Sequence, residues 1–75
     1  MPPRNQVLRR FGDALRDERK RRGISQEQLA LLAEINRTYM GGVERGEEKI
    51  SLLTLGKIAA VLAVKPSEIL AKARL

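Results

Sequence analysis

Apolar residues recur along the chain at three- and four-residue spacing, in stretches separated by polar breaks. That spacing places them on one side of an α-helix. Leu8, Phe11 and Leu15 mark a first helix from Val7 to Arg22, stopped by Gly23. Ser25, with Gln28 three residues on, forms a capping-box signature for a second helix. Leu29, Ala30, Leu32 and Ala33 supply its apolar side. The pattern breaks at Glu34-Ile35-Asn36, and Asn36 caps a third helix that runs to about Arg45 and ends at Gly46. Ser51 caps a fourth helix with a stripe of Leu52, Leu55, Ile58, Ala59 and Leu62. Pro66 suits the first position of a short fifth helix carrying Ile69 and Leu70. No period-2 run appears, so the expectation is all-α: a compact five-helix bundle. Residues 1–6 are expected to form a flexible arm and residues 7–75 one domain.

Composition narrows the function. Seventy-five residues make a single domain with a modest core, which makes self-association a plausible source of support. With neither cysteine nor histidine, disulfides and the usual zinc sites are excluded, and no metal or cofactor is expected. Lack of disulfides fits a reducing, cytoplasmic setting. Fifteen Lys and Arg against nine Asp and Glu give a net charge of +6, which attracts polyanions. No apolar stretch is long enough to span a bilayer, and the first residues do not read as a secretory signal. Nucleic acid is therefore the expected partner, ahead of a membrane.

The two short helices joined by about three residues match a helix-turn-helix. With Met40 taken as the inward direction of helix three, Val43 and Glu44 fall within about 60° of it. Thr38, Gly42 and Arg45 fall nearly opposite, and Arg37 and Tyr39 flank the face. Arg can donate twice to guanine, Thr can meet a thymine methyl, and Tyr can stack or bond a phosphate. Other readings stay open for each. Arg37 is either a solvated first-turn residue or a DNA contact, and a cation there opposes the helix dipole. Tyr39 either covers the core edge or touches DNA. Gly41-Gly42 allows either close approach of a phosphate or tight packing on helix two. The run Arg19-Lys20-Arg21-Arg22 either complements the helix dipole or meets phosphates.

Ser25-Gln26-Glu27-Gln28-Leu29-Ala30, Asn36-Arg37-Thr38-Tyr39-Met40 and Val43-Glu44-Arg45-Gly46, in register, resemble the Cro and phage-repressor (XRE-type) helix-turn-helix family. The resemblance continues through Ser51-Leu52-Leu53-Thr54-Leu55 and Lys57-Ile58-Ala59 to Glu68-Ile69-Leu70. Arg37-Thr38-Tyr39 before Gly42-Val43-Glu44-Arg45 looks most like the controller proteins of restriction-modification systems. The resemblance implies a non-enzymatic transcriptional regulator, a homodimer on a pseudo-palindromic operator, with RNA polymerase a further possible partner. It makes Arg37, Thr38 and Tyr39 the base readers and Gln26, Arg45 and Lys49 phosphate ligands. Ser25 and Asn36 at the helix starts, and Gly42 on the bare strip, complete the candidate phosphate set. Glu44 would pair with Arg19, although a helical wheel leaves Arg19 at the margin of the apolar face. Leu52, Leu53, Val64, Ile69 and Leu70 are the candidate dimer interface. Glu34 stands where the family often has Gly, which puts the geometry of that turn in question.

Rival functions are weaker. A stand-alone phage-type repressor or an antitoxin-like autorepressor uses a similar short chain, the latter with a protein partner and an exposed apolar tail. An RNA-binding surface is hard to build from two aromatics. No catalytic set is visible.

Overall fold

The computed structural model describes residues 4–75. Its elements are α1 (Arg4–Arg21), α2 (Gln26–Leu32), α3 (Arg37–Glu44), α4 (Leu52–Leu62) and α5 (Pro66–Lys72), with no strand among the described residues. The first helix reaches back to Arg4, so residues 4–6 are not part of an arm; residues 1–3 lie outside the described residues. No helix breaker separates Pro3 from Val7, and a polar first turn needs no burial to stay helical.

Helix starts follow the local chemistry of the sequence. Ser25 Oγ accepts from the Gln28 N–H at 3.0 Å, and Gln28 Oε1 accepts from the Ser25 N–H at 2.7 Å. Asn36 Oδ1 accepts from the Tyr39 N–H, and Ser51 Oγ from the Thr54 N–H. These bonds satisfy donors that a helix start leaves without intrahelical partners.

Every helix ends in a left-handed residue with a bond back across the last turn, such as Ile35 N–H to Ala30 O at 2.8 Å and Glu47 N–H to Gly42 O at 2.8 Å. Gly23 and Gly46 fill two of these positions, but Glu34, Ala63 and Arg74 fill the others with φ near +60°. The turn between α2 and α3 thus keeps a tight helix-ending geometry in spite of lacking Gly. A side chain in that conformation costs about 1–2 kcal/mol. Part of that returns when Gly raises the entropy of the unfolded chain. Glu34→Gly is therefore expected to stabilise by about 0.5–1 kcal/mol, raising Tm by a few degrees. A melting curve unmoved or shifted downward would contradict the argument.

Leu15, Leu29, Met40, Ile58, Leu62 and Ile69 are fully buried at the centre, one or two from each helix. Two expectations fail here. Leu32 is exposed, because the short α2 buries only Leu29 and Ala30 against its neighbours. Ile69 is 1% exposed and belongs to the core, so it cannot form a surface for a second subunit. In α5, Leu70 beside it is only half-buried. Among the described residues, no helix is long and apolar enough to cross a membrane.

Candidate nucleic-acid interface

One buried carboxylate fixes α3. Glu44, 1% exposed, accepts from Arg19 Nε at 2.7 Å and Arg19 Nη2 at 3.0 Å, a two-point contact between α1 and α3. Gln26 Nε2 donates to the same carboxylate at 3.1 Å, which adds α2. Arg16 Nε stands 3.5 Å away, and Arg16 Nη2 donates to the Glu44 carbonyl at 3.1 Å. Burial pushes the Glu44 pKa up. The Arg19 hydrogen bonds, the Gln26 hydrogen bond and the two arginine charges outweigh burial and hold the carboxyl below 4.5. The Arg19–Glu44 pairing expected from the family resemblance is present, and Arg19 also donates to Ile24 O at 3.0 Å. Arg16 was not singled out in the sequence. Its spacing from Arg19 on the same helix was the available signal.

With α3 fixed, its first turn points outward. Arg37 and Thr38 are exposed, next to the cap residue Asn36. Arg37 is 67% exposed, and its Nε lies 3.4 Å from Glu27 Oε2 on α2. Ser25, Asn36, Arg45 and Lys49 are exposed as well, and Gln26 is half-buried. Gln26 spends one amide proton on Glu44; the second remains free for another acceptor.

Tyr39 differs from its neighbours. It is half-buried against the core, and its hydroxyl donates to the Lys49 carbonyl, tying the loop after α3 back onto that helix. Burial first, and then the nearby Glu48 charge, push its pKa up, so the phenol stays protonated as a donor. The ring thus covers the core edge, and the hydroxyl, having spent its proton on the Lys49 carbonyl, keeps its lone pairs as an acceptor.

The glycine pair is not a bare strip. Gly41 and Gly42 are both buried. Arg45 Nη1 and Gln26 Oε1 lie over Gly41, where an added Cβ would meet them at 3.0 and 3.2 Å. The Glu48 side chain lies over Gly42, where a Cβ would meet its Cγ at 2.6 Å. Gly42 is thereby removed as a phosphate contact. A helical wheel puts it outward, but the loop after α3 folds back across it.

At the far end, Leu52 and Leu53 open α4 at 85% and 73% exposed, with Val64 half-buried. Leu52 also misses the core stripe that the sequence predicts for it. An apolar groove of about 260 Å³ runs beside them, lined among others by Val7, Leu8, Ile50, Leu70 and Leu75.

A capped, outward-facing α3 start braced by α2 is the geometry of a helix-turn-helix, and the helix-turn-helix family pattern matches residues 15–69. Control protein C.MunI from Mycoplasma sp is 38% identical over 66 residues, covering 87% of this chain and 89% of that protein. Control protein C.BamHI from Bacillus amyloliquefaciens is 36% identical over 67 residues, covering 88% and 83%. The crystal structure of the restriction-modification controller protein C.AhdI from Aeromonas hydrophila superposes with a TM-score of 0.81 at 45% identity, covering 83% of this chain and 94% of that one. The chain belongs to the helix-turn-helix controller family. In this controller-family protein α2 and α3 are the two helices of the helix-turn-helix. The Arg19–Glu44–Gln26 cluster sets the angle between them.

Proposed function

We propose that this DNA-binding regulator acts as a homodimer on a pseudo-palindromic operator and controls the genes of a restriction-modification system. The observation that carries the reading is the exposed Arg37-Thr38 pair, with half-buried Tyr39, on the first turn of an α3 locked to α1 and α2 through Glu44. Arg37 reads guanine, Thr38 and Tyr39 read neighbouring bases, and Ser25, Gln26, Asn36, Arg45 and Lys49 hold phosphates. A second copy joins through Leu52, Leu53, Val64 and Leu70, the exposed and half-buried apolar residues of α4 and α5. That arrangement sets two α3 helices about 34 Å apart, in successive major grooves. The protein is read as cytoplasmic and non-enzymatic, and contact with RNA polymerase follows from where the dimer sits on a promoter.

Footprinting on the DNA around its own gene tests this reading. Two symmetric half-sites one helical turn apart, protected as a unit, are expected; a single unpaired site or uniform protection opposes it. Arg37→Ala is expected to lower affinity for that site by about 5- to 150-fold, from loss of a two-point contact of about 1–3 kcal/mol. Affinity for unrelated duplex should fall far less, as measured by fluorescence anisotropy on both DNAs. Equal losses on both would remove Arg37 from base reading.

A further inference from the structure

Both arginines of the helix-turn-helix segment are held by glutamates. Arg37 Nε lies 3.4 Å from Glu27 Oε2, and Arg45 Nε donates to Glu47 Oε1 at 3.1 Å. All four side chains are more than half exposed, and pairs so open to water contribute almost nothing to folding. Stability therefore does not account for them.

Charge along the chain points the same way. Among the exposed residues between Ser25 and Ser51, three cations, Arg37, Arg45 and Lys49, stand against four anions, Glu27, Glu34, Glu47 and Glu48, a net −1 in a chain of +6; Glu44 is buried and matched by Arg19 and Arg16. The positive surplus lies wholly outside the part of the molecule that reads DNA. Attraction of a basic face to any phosphate backbone is what non-specific binding consists of. Here the reading face is neutralised by its own carboxylates.

We propose that Glu27 and Glu47 are specificity-determining residues, which keep Arg37 and Arg45 from binding phosphate indiscriminately. This rests on the DNA-reading role of α3. A phosphate must compete with a carboxylate already at the guanidinium, and that carboxylate repels it. Guanine offers two acceptors without a formal charge and is not repelled in the same way. Because Glu27 engages the Nε edge of Arg37, the terminal nitrogens stay available for O6 and N7 of the base. Glu27 is thus a positioning residue for Arg37, and Glu47 restrains Arg45 at the phosphate margin.

The test compares wild type, Glu27→Gln and Glu47→Gln by anisotropy across a KCl series. The probes are a duplex that wild type enriches from a randomised pool and a scrambled duplex of equal length. Each Gln variant is expected to melt with wild type and to bind the scrambled duplex about five-fold tighter near 0.1 M KCl. Its log–log salt slope should steepen by about 0.9, the value of one added phosphate neutralisation. The selected duplex should gain less, so the ratio of the two affinities falls. Unchanged scrambled-duplex affinity and slope in both variants would overturn the proposal. So would a Glu27→Gln effect of undiminished size in the Arg37→Ala background, which would assign it to bulk charge. If wild type enriches no sequence at all, the DNA-reading role itself fails.

Discussion

Glu44→Ala is expected to destabilise the fold by about 3–5 kcal/mol, because it leaves Arg19 almost buried without its partner. Arg19 is 11% exposed at its side chain, and Gln26 and Arg16 lose an acceptor at the same time. A domain of this size has little stability to spare, so much of the variant should be unfolded in the absence of DNA. Urea titration followed by circular dichroism measures the loss, and a change below about 1 kcal/mol would mean the cluster is not what locks α3. Replacing both partners, as Arg19→Met with Glu44→Met, should cost less than the two single changes added together. Breaking a buried pair strands a charge, whereas removing it whole does not.

The same carboxylate gives a pH dependence of known sign. Its pKa is lower in the folded protein than the ordinary 4.5, so the unfolded chain binds the proton more readily. The stabilisation is complete above about pH 4.5 and is lost as pH falls through the lowered folded value. Stability measured from pH 7 to pH 2 should decline at the acid end in wild type and decline less steeply in Glu44→Gln. Identical acid limbs would remove Glu44 from the linkage.

Gly12→Ala is the second large effect, and its direction is diagnostic. In an exposed helix interior the change would stabilise by about 1 kcal/mol. At Gly12 the new Cβ would stand 2.5 Å from Glu44 O and 2.6 Å from Val43 O, backbone atoms at the end of α3. Here α1 crosses α3 with nothing between them but the missing side chain. Overpacking of this kind costs about 1–3 kcal/mol even after relaxation, and rigid backbone leaves little room to relax. A net loss of about 2 kcal/mol is expected by urea titration. Gly56→Ala in α4, where a Cβ meets nothing within 4 Å, serves as the opposite case and should stabilise. If both alanines stabilise, the close crossing is absent. Because the shift would tilt α3 against α2, Gly12→Ala should also weaken operator binding.

Much of the fold was legible because its signals act over three or four residues. The caps at Ser25, Asn36 and Ser51 appear where their types and spacing place them, as do the inward turn of Met40 and the outward turn of Arg37 and Thr38. The Arg19–Glu44 pair came from family resemblance; helical geometry left Arg19 marginal. A long side chain can reach inward from the edge of a face, which a wheel of Cβ directions does not capture.

By itself, then, the sequence determined five helices, the starts of the last four, the helix-turn-helix register and the outward turn of Arg37 and Thr38. Each of these is decided by bonds and contacts within one helical turn. Only the tertiary structure decided what covers each face. It laid Glu48 over Gly42, drew Tyr39 to the Lys49 carbonyl, put Ile69 in the core with Leu52 outside, and set Gly12 under the end of α3. It also brought Glu27 beside Arg37 and made the reading face its own counter-charge. Periodicity fixes the direction in which a residue points, but what it meets there depends on how distant segments fold back.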